Sequence, residues 1–155
     1  MTTTTSTTTA PATALPTPSA VDRLLEAIAT GRGGTVAALF ADDALLDATV
    51  PGWRFRRCGG RAVATEYASW FASPARFEEL DRLPVQDGEI VTYLLTWLEY
   101  GVPWAAHHCH RLTLDANGRI CGDRVFCGGR WDAALLARME QAQVESDEQE
   151  AGHVR

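Results

Sequence analysis

The segment HHCHRLTLDANGRICGDRVFCGG, residues 107–129, decides the fold that this sequence predicts. It contains three of the four histidines and three of the four cysteines. Runs in which apolar and polar residues alternate lie on both sides of DANG, residues 115–118, which is typical of a tight turn. The segment therefore predicts two antiparallel strands joined by a hairpin.

Side-chain alternation places His108 and His110 on one face of the first strand. Asp123 and Val125 share a phase of the second strand. Two registers are open, depending on which residues form the turn: His110 opposes Asp123 in one, and in the other it opposes Val125 with Asp123 diagonal to it. Both registers put His110 and Asp123 on the same, core-facing side and within reach of each other.

An imidazole and a carboxylate held together on a partly buried face can act as a general acid–base unit. The carboxylate fixes the tautomer of the histidine and raises its basicity. The alternative is a structural pair, in which two buried polar groups satisfy each other's hydrogen bonds. The geometry of the two strands leaves both interpretations open.

Metal binding is a third possibility, because His108 and His110 share a face and Cys127 or Asp123 could complete a set of ligands. The cysteines, however, lack the CxxC spacing of strong zinc sites, and Cys109 points to the other face. There is also no G-x-S-x-G motif to present a serine nucleophile. We therefore expect neither a metal ion nor another cofactor.

The rest of the chain predicts an α+β fold. Ser19 and Asp22 form a capping box at the start of a first helix, and TVAALFADD and GRAVATEYASWFASP predict two more. The segment ALLDATVPGWRFR predicts a strand broken at Pro51 and Gly52. Period-two segments then predict four long strands with short connections: ARFEELDRLPV, EIVTYLLTWLEY, WAAHHCHRLTL and RICGDRVFC. Three N-terminal helices should thus pack on one face of a curved antiparallel sheet.

Composition narrows the classes of partner. The net charge is −6 and the pI about 5.1, so we expect no nucleic-acid partner. All 14 basic residues are arginine, which excludes a Schiff-base lysine and a Walker-type phosphate loop. No apolar run approaches the roughly 20 residues that span a bilayer, and the N-terminus does not resemble a secretory signal. We expect a cytoplasmic protein that makes no membrane contact.

Three regions are predicted along the chain. Residues 1–18 form a Thr/Pro-rich tail that should be disordered, because it has too little apolar surface to order itself. Residues 19–135 form the folded domain. Residues 136–155 contain the end of a helix and a charged, disordered tail.

Several features together resemble the nuclear transport factor 2-like superfamily: the order of the helices, the segment LFADDALL, a helix that begins at a glycine and ends in WF, the long strands, and the segments DANGRI and VFCGGRW. The resemblance covers roughly residues 19–135, and within the superfamily it is strongest to the SnoaL-like and ketosteroid-isomerase-like branch. It implies a cone-shaped curved sheet wrapped around the helices, with a pocket open at one end. It also implies a homodimer that packs through the sheet.

The resemblance also implies roles for residues. His110 lies where steroid isomerases keep an aspartic acid that binds the oxyanion, and Asp47 lies near the position of their proton-shuttling carboxylate. Leu24 replaces their catalytic tyrosine, which argues against a true steroid isomerase. The dehydratase and cyclase branches often pair a histidine with an aspartate, as His110 and Asp123 would. The residues expected to line the pocket are Trp53, Phe55, Tyr93, Trp97, His108, Val125 and Cys127.

The sequence thus predicts an enzyme that performs acid–base chemistry without a cofactor on a small hydrophobic carbonyl or polyketide-like compound. The reaction would be an isomerisation, a dehydration or a cyclisation. His110 would be the general base or acid, Asp123 would orient it, and Asp47 would be a second carboxylate. A non-catalytic ligand-binding or dimerisation module of the same fold is the alternative.

Overall fold

The structure, a computed structural model, describes residues 17–153. One helix and a 3₁₀ helix precede the first two strands, a second helix follows them, and four long strands and a last helix complete the described chain. In chain order the elements are α1 (Ala20–Ala29), the 3₁₀ helix (Gly33–Leu39), β1 (Phe40–Val50), β2 (Trp53–Cys58), α2 (Gly60–Trp70), β3 (Ala75–Val85), β4 (Gly88–Glu99), β5 (Val102–Leu114), β6 (Ile120–Asp132) and α3 (Ala133–His153).

The strands form one curved six-stranded sheet in the order β2-β1-β6-β5-β4-β3. Neighbouring strands are antiparallel except for β1 and β6, which run parallel. The predicted α+β architecture is confirmed, and the predicted break at Pro51 and Gly52 is the turn between β1 and β2. The second predicted helix is shorter than expected, because the chain enters β1 already at Phe40.

The helices cover the inner face of the sheet. The Ser19 side chain accepts from the Asp22 backbone N–H at 3.1 Å, and the Asp22 carboxylate accepts from the Ser19 N–H at 2.7 Å, so the predicted capping box is confirmed. The buried face of α1 contains Val21, Leu24 and Ile28. Leu24 is 1% exposed, which fits an apolar core residue at this position.

Two irregularities lie in and directly after the turn between β5 and β6. The Gly118 N–H donates to the Asp115 carbonyl, and the Asp115 N–H donates to the Arg119 carbonyl. Gly118 has φ +75°, a left-handed conformation that glycine adopts without steric cost. This turn takes up one extra residue, and Cys121 forms a further bulge two residues beyond the turn.

Each one-residue shift moves the side chains of β6 to the opposite face relative to β5. Because side chains alternate with a period of two, the two shifts together return them to the original face. His110 is therefore opposite Val125, and Leu112 is opposite Asp123. This is the second of the two predicted registers. A single shift would have put His110 opposite Arg124 and turned Asp123 to the other face of the sheet.

The predicted terminal tails fall mostly at or beyond the limits of the described residues. Of the tail predicted for residues 1–18, residues 1–16 lie outside the described part of the chain. α3 runs as far as His153, over the segment expected to be a charged tail, and residues 154–155 are again outside the described part. Within residues 17–153, no helix combines the length and the apolar character needed to cross a bilayer.

Candidate active site

Five buried side chains form a continuous hydrogen-bonded chain, hereafter the polar chain: Tyr67, Asp123, His110, Tyr93 and His108. The Tyr67 hydroxyl donates to Asp123 Oδ2 at 2.5 Å. His110 Nδ1 lies 3.1 Å from Asp123 Oδ1, and His110 Nε2 lies 2.9 Å from the Tyr93 hydroxyl. The Tyr93 hydroxyl is 3.1 Å from His108 Nδ1.

Four elements supply these groups. β5 provides both histidines, and β4 provides Tyr93 directly opposite His108. β6 provides Asp123, while Tyr67 comes from the buried face of α2, one turn after Val63 and Ala64. The Tyr93 ring stacks on the His110 ring with a centroid distance of 5.4 Å and an interplanar angle of 20°, which fixes the imidazole between the two hydroxyl groups and the carboxylate.

The predicted pairing of His110 with Asp123 is present in this structure, but both residues are only 2% exposed. Both nitrogens of His110 already have partners within the polar chain. Among the described residues, no buried side-chain nitrogen or oxygen lacks a hydrogen-bond partner. The pair is therefore enclosed by protein and has no free polar atom to offer a ligand.

A cavity of about 450 Å³ lies beside the other end of the polar chain. Its wall is mainly apolar and aromatic. His108 is the member of the polar chain that lines it, and neither His110 nor Asp123 does. The lining residues are Val50, Pro51, Ser69, Trp70, Phe71, Ala72, Ser73, Ala75, Leu95, Trp97, Glu99, Ala106, His108, Val125, Cys127, Gly129 and Arg130.

His108 presents one nitrogen to this cavity. Its Nδ1 is bonded to Tyr93, and its Nε2 makes no hydrogen bond to protein. Every buried polar side-chain atom of the described residues has a hydrogen-bond partner. Because Nε2 has none, it is not fully buried, and it is the part of His108 that a small molecule in the cavity can reach. The residue as a whole is 9% exposed. The cavity thus contains a nitrogen with an open hydrogen-bonding position on an otherwise buried side chain.

Burial keeps His108 neutral. Desolvation, followed by the nearby His110 and then His107, lowers the pKa of His108 from 6.5 to about 3. Burial also raises the pKa of Tyr67 and of Tyr93 well above 10, with the Asp123 charge as the second cause for both. Both phenols therefore remain protonated and available as hydrogen-bond donors.

Four of the residues expected to bind a substrate line the cavity: Trp97, His108, Val125 and Cys127. The other three do not. Trp53 is 69% exposed on β2, and Phe55 packs edge-on against Trp70 at 6.0 Å. Tyr93 is buried behind His108, where it acts as part of the polar chain.

Asp47, expected to be a second catalytic carboxylate, lies on the outer face of β1. Its neighbours Leu46 and Ala48 are fully buried on the inner face, so alternation turns Asp47 outward. Arg54 donates to both of its carboxylate oxygens, at 2.9 and 2.7 Å, and a further arginine, Arg56, lies at 3.4 Å. The hydrogen bond from Arg54 is the main cause that lowers the pKa of Asp47. Asp47 is a structural anion and does not line the cavity.

Several residues of the site were not predicted. Tyr67 is the most important, and its signal is its position on the apolar face of α2, where a buried hydroxyl needs a partner. Trp70 and Phe71 at the end of α2 form one wall of the cavity. At another part of the wall, Arg130 pairs with Glu99 and lies 5.2 Å over the Trp97 ring.

Histidine and cysteine do not converge into a metal site in the part of the chain that the structure describes. No group of three or more His, Cys, Asp or Glu side chains there could hold an ion. His108 and His110 share a face as predicted, but both nitrogens of His110 and one of His108 are engaged by neighbours in the polar chain.

Known structures share this fold, although no sequence family matches the chain. No protein-family model matches the sequence, and no curated protein matches it either. Solved structures do match. An NTF2-like protein from Anabaena variabilis ATCC 29413 superposes with a TM-score of 0.61 at 13% identity, covering 70% of this chain and 84% of that one.

Two further structures extend the comparison. The epoxide hydrolase/cyclase-like enzyme SalBIII, described in pyran ring formation in the polyether salinomycin, superposes with a TM-score of 0.57 at 20% identity, covering 70% of this chain and 88% of that one. A hypothetical protein with a ketosteroid isomerase-like fold from Catenulispora acidiphila DSM 44928, in complex with trimethylamine, gives 0.55 at 15% identity, covering 72% and 86%. These likenesses confirm the predicted fold: the chain has the nuclear transport factor 2-like, ketosteroid isomerase-like architecture.

Proposed function

We propose that this protein is an enzyme that transfers protons on a small, largely apolar, carbonyl-bearing compound, in an isomerisation, a dehydration or a cyclisation. His108 contacts the substrate, and the His110–Asp123 pair holds the charge that the reaction generates. The observation that carries this proposal is the open Nε2 of His108 in an apolar cavity, with a hydrogen-bonded chain behind it. One neighbour of the same fold is named as an epoxide hydrolase/cyclase-like enzyme, which supports a catalytic role for such a cavity.

In the resting state of the polar chain, each hydrogen bond has a defined donor and acceptor. The Asp123 carboxylate accepts from Tyr67 and from His110 Nδ1–H. His110 Nε2 then accepts from the Tyr93 hydroxyl, whose oxygen accepts from His108 Nδ1–H. His108 is left with a lone pair on Nε2. In this state the cavity contains a general base.

Proton uptake reverses the direction of the hydrogen bonds. When His108 Nε2 takes a proton from a substrate, Nδ1–H passes its proton to the Tyr93 oxygen, and the Tyr93 hydroxyl proton passes to His110 Nε2. His108 ends neutral with an N–H in the cavity, and the positive charge lies on His110 beside Asp123. In this second state the same nitrogen is a general acid that can return a proton elsewhere on the substrate.

Electrostatics explains why two histidines serve better than one. A cation on His108 itself is disfavoured by burial, as the low pKa of that residue shows. A cation on His110 lies 3.1 Å from a carboxylate, and the attraction between opposite charges is strong at that distance in a poorly solvated interior. Tyr67 adds a hydrogen bond that holds the carboxylate in place. The polar chain thus moves charge from an unfavourable position to a favourable one.

The cavity indicates the class of substrate. Trp70, Phe71 and Trp97 provide flat aromatic surfaces, and a volume of about 450 Å³ lies within the usual range for small-molecule pockets. The cation at its wall, Arg130, is already neutralised by Glu99. A neutral ring compound with one carbonyl or hydroxyl directed at His108 fits this lining better than a carboxylate or a phosphate.

A generic proton-transfer probe tests the proposal without knowledge of the natural substrate. In 5-nitrobenzisoxazole, a base removes the C3 proton, the N–O bond breaks and a coloured phenolate is released. We expect saturable catalysis by the wild-type protein and a loss of about 100-fold or more in His108→Gln, because a positioned base contributes about 100- to 10,000-fold. Absorbance of the phenolate measures the rate.

Two variants give that experiment its controls. His107→Gln changes the exposed neighbour on the other face of β5 and should keep the wild-type rate. Tyr93→Phe keeps His108 but removes the hydroxyl that bonds both His108 and His110, so the rate should fall by roughly 30-fold, because two buried hydrogen bonds of about 1 kcal/mol each are lost. Binding of the probe with no turnover above that of His108→Gln would contradict the proposal and favour the alternative, a non-catalytic ligand-binding module.

The neutrality of His108 predicts how stability depends on pH. Its folded pKa, about 3, lies below its ordinary value of 6.5. Below pH 6.5 the unfolded chain therefore binds a proton at His108 that the folded chain does not, and the free energy of unfolding falls as the pH decreases towards 3. Relative to His108→Gln, the wild type should lose about 1.4 kcal/mol more for each pH unit in this window.

Urea unfolding at several pH values between 6.5 and 4 measures this difference. His107→Gln, whose side chain is exposed, should retain the wild-type slope. Parallel curves for the wild type and His108→Gln would show that His108 is protonated to the same extent in the folded and unfolded chains, which is incompatible with a neutral, buried imidazole.

We also propose that the protein is a homodimer packed through the outer face of the sheet. Apolar side chains on that face support it: Leu83 is 59% and Phe126 49% exposed, with Ile90, Leu94 and Cys109 between them on neighbouring strands. Exposed apolar side chains of this kind on a sheet, here interspersed with Arg111 and Arg124, favour association.

Sedimentation equilibrium tests the dimer. The wild type should sediment as a dimer, and Phe126→Glu as a monomer, because a charge would be buried at the centre of the interface. Val144→Glu, at an exposed position of α3, should remain a dimer. A monomeric wild type, or a dimer that Phe126→Glu leaves intact, would rule out this face as the interface.

A further inference from the structure

Cys127 places a thiol in the same cavity as His108. Its side chain lines the cavity, and it lies directly opposite His108 in the pairing of β5 with β6. Opposed residues in an antiparallel pair have Cβ atoms about 4.5–5.5 Å apart. The sulfur also accepts a hydrogen bond from the Gly129 backbone N–H at 3.4 Å. The proposed acid–base cycle makes no use of this thiol.

The partner that a thiol nucleophile needs lies beside it. A thiol reacts as its thiolate, so a base must take the S–H proton in a poorly solvated site. His108 is nine-tenths buried, and its Nε2 has no protein partner and opens into the cavity. The structure thus brings together a sulfur nucleophile, a base with a free lone pair and an apolar space for a ligand.

We infer that Cys127 forms a reversible covalent bond with α,β-unsaturated carbonyl compounds bound in this cavity. His108 Nε2 accepts the thiol proton while the sulfur bonds to the β-carbon of the ligand. The π electrons of the C=C bond move to the carbonyl oxygen, giving an enolate, and the proton on His108 then goes to the α-carbon. The product is a β-thioether ketone, formed by addition alone, and elimination by the reverse steps restores both partners.

This inference deepens the proposed function, since it rests on His108 as the base of the cavity and names a substrate class. The enone group is flat and neutral and carries a carbonyl, which matches a mainly apolar and aromatic lining in which the charges of Arg130 and Glu99 neutralise each other. A saturated ketone of the same size would enter the cavity but could not be captured. Enones are therefore expected to be retained where their saturated counterparts are released.

The other cysteines provide internal references. Cys58 is exposed on β2, and Cys109 lies on the outer face of the sheet, away from the cavity. Cys121 lies at the bulge near the turn, with its thiol directed at the Thr113 carbonyl at 3.5 Å. None of these three lines the cavity. Their reaction with an electrophile should thus depend on solvent access alone and not on His108.

The experiment treats the full chain with 2-cyclohexen-1-one at neutral pH and follows each cysteine by peptide mass spectrometry. Cys127 should form the adduct, and its rate should fall by about 100-fold in His108→Gln, the usual contribution of a positioned base. The rate at the exposed Cys58 should be the same in both proteins, and the partly buried Cys121 should label more slowly than Cys58 in both, which shows that the variant is folded. His107→Gln should label like the wild type, and an excess of cyclohexanone should slow labelling at Cys127 alone.

Two results would overturn the inference: no adduct at Cys127 while Cys58 reacts, or an adduct that forms equally fast with and without the His108 imidazole. Either can be separated from failure of the proposed function. A wild-type protein that catalyses 5-nitrobenzisoxazole elimination but does not capture the enone retains its base and loses only the thiol reaction. A protein that fails both assays has no accessible base in the cavity.

Discussion

The site depends on the burial of one carboxylate. Asp123 is 2% exposed, and a buried charge is tolerated only when hydrogen bonds or an opposite charge compensate for the lost water. Tyr67 from α2 and His110 from β5 provide that compensation, so the helix and the sheet are joined by the same atoms that organise the chemistry. The order of the polar chain, from carboxylate to imidazole to phenol to imidazole, follows from satisfying each group in turn.

The sequence predicted the architecture and the pairing of His110 with Asp123 for a reason that holds in many sheets. Side chains keep the same face of the sheet when the register of two strands shifts by an even number of residues. Here the extra residue in the turn at Gly118 and the bulge at Cys121 shift the register by two residues in total. Neither bulge alone is visible in the residue pattern. Had the chain contained only one of them, the same alternation would have led to a false pairing.

Which histidine meets the ligand could not be predicted from β5 alone, because His108 and His110 share a face. The answer depends on α2, whose Tyr67 covers His110 and whose end opens beside His108. The position of Asp47 was in principle predictable, since Leu46 and Ala48 alternate with it and are apolar. The resemblance to the steroid isomerases suggested that Asp47 faces the cavity. The alternation of side chains along β1 instead turns Asp47 outward, as observed.

Proton transfer along the polar chain depends most directly on the tautomers of two histidines. Nitrogen-15 NMR of the labelled imidazoles at pH 6 reports which ring nitrogens carry protons. We predict that His108 is neutral with its proton on Nδ1 and a free lone pair on Nε2, and that the Nδ1 of His110 is protonated. A His108 that carries protons on both nitrogens, or only on Nε2 in the ligand-free protein, would contradict the presence of a base in the cavity.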